Sequence, residues 1–99
     1  MSSQNIVERF LPVYEEAKVV EEEIALLIQS LKSGKDWSSL IDRTSLVRQL
    51  SVVDRFSAAL EELRKFETDD EDIIEFRAAC EAMNIILKVA VEALLRYSE

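Results

Sequence analysis

Residues 6–31 read IVERFLPVYEEAKVVEEEIALLIQSL, and this stretch decides the fold of the chain. Its apolar side chains recur at alternating steps of four and three residues. They are Ile6, Phe10, Val13, Ala17, Val20, Ile24, Leu27 and Leu31. A helix places such positions along one side, whereas the side chains of a strand alternate every second residue. The stretch therefore predicts a long helix with one apolar seam of the heptad type.

Two further stretches carry the same spacing and predict two more long helices. The seam near the C-terminus consists of Ile73, Phe76, Cys80, Met83, Leu87, Ala90, Leu94 and Tyr97. A less regular stripe before it consists of Leu46, Leu50, Val53, Phe56, Leu60, Leu63 and Phe66. One Gly and one Pro in 99 residues leave little material for the turns of a β fold. We therefore predict a single all-α domain over residues 1–99, an antiparallel bundle of three long helices.

Local signals place these helices at about residues 3–33, 38–66 and 69–98. Gly34 follows the first seam, where a left-handed residue is expected to end a helix. Pro12 lies inside that seam, so the first helix either begins at Pro12 or is kinked there, and the unbroken heptad phase favours a kink.

Side chains that accept hydrogen bonds mark the starts of the other two helices. Asp36 or Ser38 is the expected cap of the second helix. Thr44 and Ser45 offer another start, in which case a short helical turn over residues 38–43 precedes it. Thr68 and Glu71 form a T-x-x-E capping box for the third helix, with further acids near its positive end.

The composition lacks the residues of most catalytic sites. There is no His, no Gly-rich loop, and one Cys. A His-based nucleophile pair, a phosphate-binding loop and an internal disulfide are therefore excluded, and a zinc site lacks its soft ligands. The acidic run Glu21–Glu23 lacks the helical spacing of paired magnesium ligands, and Cys80 occupies a seam position typical of a core residue. We expect no enzymatic activity, no cofactor and no metal, with a carboxylate-dependent magnesium hydrolase as the alternative.

The charge balance also restricts the partners. Twenty acidic and 12 basic residues give a net charge of −8, which opposes binding to nucleic acid and to anionic membranes. The most apolar run, residues 82–95, is too short to span a membrane and contains Lys88 and Glu92. No signal peptide is evident and the single cysteine suits a reducing compartment, so we expect a cytoplasmic protein.

The second helix is the least acidic segment and carries two arginines one heptad apart, Arg48 and Arg55. Two interpretations are open. The arginines form ion pairs with neighbouring helices at the edges of the bundle, or they form a docking strip for an acidic partner.

Both outer helices carry more apolar side chains than one seam requires. Beside its seam, the third helix has Ala79, Ile86, Val89 and Ala93 on one flank and Val91 on the other. The first helix adds Val7, Tyr14, Leu26 and Ile28. Large exposed apolar patches usually mark an interface. We therefore expect a homodimer, that is, a larger dimeric bundle, or a contact with another protein.

These observations favour a protein–protein interaction module, such as an adaptor, an assembly factor or a regulatory subunit, that acts through apolar helix faces. One alternative is an acidic decoy or inhibitor of a basic nucleic-acid-binding protein, suggested by the acidic rows at residues 15–16, 21–23 and 69–75. A second alternative is a small metal-dependent or ligand-binding bundle.

Overall fold

The fold is an all-α bundle, as predicted. A computed structural model describes residues 3–34 and 36–98, without the side chains of residues 3, 4, 37 and 38. It contains α1 (Ser3–Lys32), α2 (Trp37–Leu40), α3 (Arg43–Arg64) and α4 (Glu71–Tyr97). No strand occurs in these residues. The three long helices pack on one another in a rod of 49 × 22 × 17 Å. The assembly of two such bundles stays a prediction.

Contacts between helices fix their directions. Arg48 and Arg55 of α3 pair with Glu23 and Glu16 of α1, so higher numbers on α3 meet lower numbers on α1 and the two helices are antiparallel. The same reasoning makes α4 antiparallel to α3, because Ser57 bonds to Asn84 and Arg64 to Glu81.

The core is formed by the predicted seams, with α3 between α1 and α4, except that the predicted seam position of Tyr97 is wrong, because its side chain is 72% exposed. The completely buried apolar side chains of the core include Val53, Phe56 and Leu60 of α3, Ala17 of α1 and Val91 of α4. The predicted place of Val91, on an exposed flank of its helix, is therefore wrong. At the end of the bundle where α1 and α4 begin, four aromatic rings cluster around this core: Phe10, Tyr14, Phe56 and Phe76.

One polar pair lies between α3 and α4, formed by the half-buried Ser57 and the buried Asn84. The Ser57 hydroxyl donates a hydrogen bond of 2.8 Å to Oδ1 of Asn84, a residue that is 8% exposed. Burying an amide without a partner costs about 1–3 kcal/mol, so this bond removes a penalty more than it adds stability.

The first helix passes through its proline. α1 begins at Ser3, so the alternative in which it begins at Pro12 is wrong. Proline has no amide hydrogen, so Pro12 cannot donate the usual intrahelical bond to the carbonyl of Glu8. Both residues are exposed. α1 ends at Lys32, two residues before Gly34, which has the predicted left-handed conformation (φ +89°) and whose amide donates to the Leu31 carbonyl at 3.2 Å.

The predicted second helix is two elements. The short turn predicted over residues 38–43 exists as α2, and α3 begins only at Arg43. Its N-cap is Asp42, whose carboxylate accepts bonds from the Thr44 amide at 3.1 Å and the Ser45 hydroxyl at 2.9 Å. The expected start at Thr44 or Ser45 is therefore wrong, because both residues donate to the cap. The side chain of Ser38 lies outside the described residues.

The predicted capping box of the last helix is also wrong. The N-cap of α4 is Asp70, whose Oδ1 accepts from the Asp72 amide at 3.0 Å. Thr68 lies two residues earlier, and its hydroxyl accepts from the Asp70 amide at 3.1 Å. Because the helix begins at Glu71, this glutamate occupies the first helical position and does not reach back to a cap.

We expect Asp70→Ala to lower the free energy of unfolding by about 1 kcal/mol, since the first turn of α4 loses its capping acceptor. Thr68→Ala removes only a bond in the preceding turn and should cost clearly less. Urea unfolding followed by circular dichroism measures both values. An equal or larger loss of unfolding free energy for Thr68→Ala would show that Thr68 caps α4 and that the predicted capping box is right.

Candidate interaction surface

The helix α4 carries an exposed apolar surface on the side opposite the core. We define this outer face of α4 by seven residues: Ala78, Ala79, Ala82, Ile85, Ile86, Val89 and Ala93. All are exposed except the half-buried Ala93. At about 100° per residue they cover an arc of about 120°, while the buried Cys80, Leu87 and Val91 lie on the other side.

No charged side chain interrupts this surface. Between residues 77 and 93 the charged residues of α4 are Arg77, Glu81, Lys88 and Glu92. By the same rotation of about 100° per residue they all fall on the flank of α4 that faces α3. Arg77 donates to the carbonyls of Leu63 and Phe66, and Glu81 accepts from Arg64. The outer face is thus an uncharged strip about 24 Å long, from its span of sixteen residues at about 1.5 Å each.

The surplus apolar residues of α1 do not form a comparable strip. Leu26 is 64% exposed and Ile28 is exposed, but Val7 and Tyr14 are half-buried. The Tyr14 ring packs against Phe76 at 5.1 Å between centroids, so Tyr14 belongs to the edge of the core. Three exposed glutamates one heptad apart, Glu8, Glu15 and Glu22, divide the outward side of α1. Of the two predicted apolar surfaces, only that of α4 is continuous.

The two arginines of the predicted docking strip form ion pairs within the chain. Arg48 Nη2 lies 3.0 Å from Glu23 Oε2, and Arg55 Nη1 lies 3.3 Å from Glu16 Oε2. Both pairs join α3 to α1 one heptad apart, which is the arrangement of the first interpretation. Exposed pairs of this kind contribute about 0–1 kcal/mol each. An acidic partner of this strip would have to compete with Glu16 and Glu23.

Cys80 is a core residue. It is 1% exposed on the seam of α4. Burial raises the pKa of the thiol to about 11, although the positive charge of Lys18 opposes the shift. Since the thiolate is the reactive form, the thiol of the folded protein is both inaccessible and protonated at neutral pH.

Other features of the described residues offer less to a ligand. They contain no group of three His, Cys, Asp or Glu side chains placed to hold a metal ion. An open cleft of about 430 Å³ separates the start of α1 from the end of α3, beside Ile6, Phe10 and Phe66. A second cleft of about 320 Å³ is lined by Glu23 and Gln49, each with one buried oxygen that accepts no bond from the protein.

A search for membrane-spanning segments among the described residues also finds none, because no helix there combines the required length and hydropathy. Comparison of the chain with protein-family models, with curated proteins and with solved structures finds no match.

The position of Cys80 predicts its reactivity. A maleimide or disulfide reagent at pH 7 should label the folded chain slowly and the urea-unfolded chain at the rate of a free cysteine, because reaction requires opening of the core. Mass spectrometry of timed samples measures both rates. Rapid stoichiometric labelling without loss of helicity would contradict a core position.

Proposed function

We propose that this chain is a non-enzymatic protein–protein interaction module that binds its partner through the outer face of α4. The observation that carries the proposal is the uncharged strip of about 24 Å on a chain in which 32% of residues are charged. A contiguous apolar strip on a protein otherwise covered by charge is a candidate contact site, because such exposed patches are often functional.

The spacing of the strip indicates the structure that it binds. Five of its residues, Ala79, Ala82, Ile86, Val89 and Ala93, follow one another at steps of three, four, three and four. We call these five the outer seam. A seam with this period packs against another helix, whose side chains fit between its own. The alanines allow close approach, while Ile86 and Val89 supply most of the apolar area.

Covering the outer seam supplies part of the free energy of binding. Full burial of an Ile or Val side chain is worth about 1.5–3 kcal/mol, and Ile86 and Val89 are still 66% and 60% exposed in the single chain. Covering both contributes roughly 2–4 kcal/mol, a large share of the driving force of a weak complex. The same residues contribute little to the fold, so substitutions there separate binding from stability.

A second candidate, the acidic decoy, is supported by a different surface. Glu8, Glu15 and Glu22 form an exposed acidic row along α1, and Glu16 and Glu23 beside them are already paired with arginines. Such a row would attract a basic protein by charge alone, and its binding would weaken steeply as salt is raised. An apolar contact through α4 would not.

The experiment compares two side chains of equal exposure on different helices. A photoreactive benzophenone residue is placed at Ile86 on α4 or at Leu26 on α1, which are 66% and 64% exposed. The chain is expressed in its native host and irradiated. We expect adducts to a polypeptide from position 86 and few or none from position 26, and Val89→Glu should abolish the adducts.

The matched control is Val19→Glu, which introduces the same charge at an exposed valine of α1. It should leave the adducts of position 86 unchanged. Each substitution should change the free energy of unfolding by less than about 0.5 kcal/mol, as is usual for exposed positions. Adducts from position 26 alone would show that the interface lies on α1 and would contradict the proposed contact through α4. Adducts from neither position would refute an interaction through these faces.

A further inference from the structure

We infer that the partner on the outer face of α4 is a second copy of this chain, with the two α4 helices packed antiparallel. The inference rests on the interaction function proposed above and identifies its partner. It is carried by the charges at the two ends of the outer seam and by the order of large and small side chains along it.

The outer seam ends in opposite charges. Glu75 continues it by one step of four residues before Ala79, and Arg96 continues it by one step of three after Ala93. Both side chains are exposed. Glu71 and Asp72 add two more carboxylates in the first turn of α4, whereas Arg96 is the basic residue of its last turn.

This distribution distinguishes the two possible orientations of a helix pair. In a parallel pair the acidic ends of the two α4 helices would lie side by side, with Glu75 facing its own copy, and so would the two arginines. In an antiparallel pair each acidic end lies near Arg96 of the partner, and the helix dipoles also oppose favourably. The surface is thus complementary to itself when one copy is reversed, as a two-fold interface requires.

Side-chain size then selects the alignment. Antiparallel seams place the first position of one heptad beside the fourth position of the other. Pairing Ile86 with Val89 of the partner makes two large central layers, and it brings Ala82 beside the partner's Ala93 on both sides. A shift by one heptad would instead place Ile86 against Ala82 and Val89 against Ala79, so that no layer pairs two large side chains.

The alignment also brings the terminal charges within reach. It places Arg96 beside Ala79 of the partner, one helical turn, or about 6 Å along the axis, from Glu75. An arginine side chain spans that distance while its stem covers the alanine. The pair lies at the rim of the interface, where it affects orientation more than affinity.

The size of the contact predicts a weak complex. A strip about 24 Å long and about 10 Å wide covers a few hundred Å² on each copy, less than the roughly 800 Å² of a standard interface. Two chains of charge −8 also repel each other. We expect a dimer with a dissociation constant on the order of 10 μM, in exchange with the single chain.

Sedimentation velocity from about 2 to 200 μM tests self-association over the range around that constant. The average mass should rise from 11.4 kDa toward twice that value, and Val89→Glu should keep it at 11.4 kDa while Val19→Glu has no effect. A single 11.4 kDa species at every concentration overturns the inference. The proposed function would still stand if the benzophenone at position 86 captured a different protein, and it would fall if nothing were captured.

Single cysteines test the orientation. When Ala82→Cys and Ala93→Cys chains of different mass are mixed and oxidised, a mixed disulfide dimer should form rapidly. The Ala82→Cys chain alone should form far less disulfide dimer, because the two copies of residue 82 lie about 16 Å apart along the axis of an antiparallel pair. The unmodified chain is the control, since its Cys80 is buried. Fast dimerisation of Ala82→Cys alone would overturn the antiparallel arrangement, and failure of the mixed pair would overturn this alignment.

Charge reversal gives an independent check. Arg96→Glu should weaken the dimer by about two- to thirty-fold, because the two-fold interface contains this rim pair twice and each pair is worth about 0.2–1 kcal/mol. Adding Glu75→Arg to the same chain should restore the affinity, because the pair is reformed with its signs exchanged. If Arg96→Glu has no effect, or if the double reversal weakens the dimer further, the predicted contact between Glu75 and Arg96 is wrong.

Discussion

Burial of one stripe of α3 on two sides is the constraint on which the rest of the structure depends. Val53, Phe56 and Leu60 are completely covered, and the coverage comes from α1 on one side and α4 on the other. The rings of Phe56 and of Phe10 on α1 lie 5.5 Å apart between centroids, and Ser57, next to Phe56, donates a hydrogen bond to Asn84 of α4. A helix that is enclosed in this way orients both of its neighbours and so decides which side of each is left exposed.

The division of α4 into two apolar sides follows from that orientation. Its inner side is fixed in the core by α3 and α1, and its charged flank is engaged with Arg64 and the end of α3. The outer face is the side of α4 that neither the core nor this flank covers. Its apolar residues have the same spacing of three and four residues as the inner seam. On α1 the corresponding side carries a row of glutamates, so charge keeps that helix in contact with water. The two outer helices thus have similar inner seams and different outer surfaces.

The fold could be predicted because a period of three and four residues repeated over 20 or more positions has one structural meaning. The individual burial of residues was harder to predict, since an α-helix advances by 3.6 residues per turn and a strict heptad drifts by about 20° each repeat. Over the length of α4 this drift carries Tyr97 out of the core, where it is 72% exposed, and brings Val91 into it. Heptad positions assigned from the sequence assume 3.5 residues per turn and therefore do not include this drift.

The helix starts illustrate a second limit. Thr68, Thr44 and Ser45 satisfy the local rules for a cap as well as Asp70 and Asp42 do. In the structure the two carboxylates are the caps, while the Ser45 hydroxyl donates to Asp42 and the Thr68 hydroxyl accepts from the Asp70 amide. Sequence alone lists such competitors without ranking them. The same holds for the candidate surface: the sequence names apolar residues on α1 and α4 alike, and only the packing of Tyr14 and the position of Glu8, Glu15 and Glu22 separate the two helices.

The buried bond between Ser57 and Asn84 has a consequence for how the chain avoids wrong structures. Heptad seams by themselves define the alignment of two helices only weakly. If α4 moved along α3 by seven residues, most apolar seam residues would meet other apolar seam residues. Such a slip would separate Asn84 from Ser57 and remove the one hydrogen bond between their side chains, and an amide left unpaired in a buried position costs about 1–3 kcal/mol. The Ser57–Asn84 contact thereby favours the native alignment over a slipped one, in addition to the contacts of Arg64 and Arg77 at the end of α3.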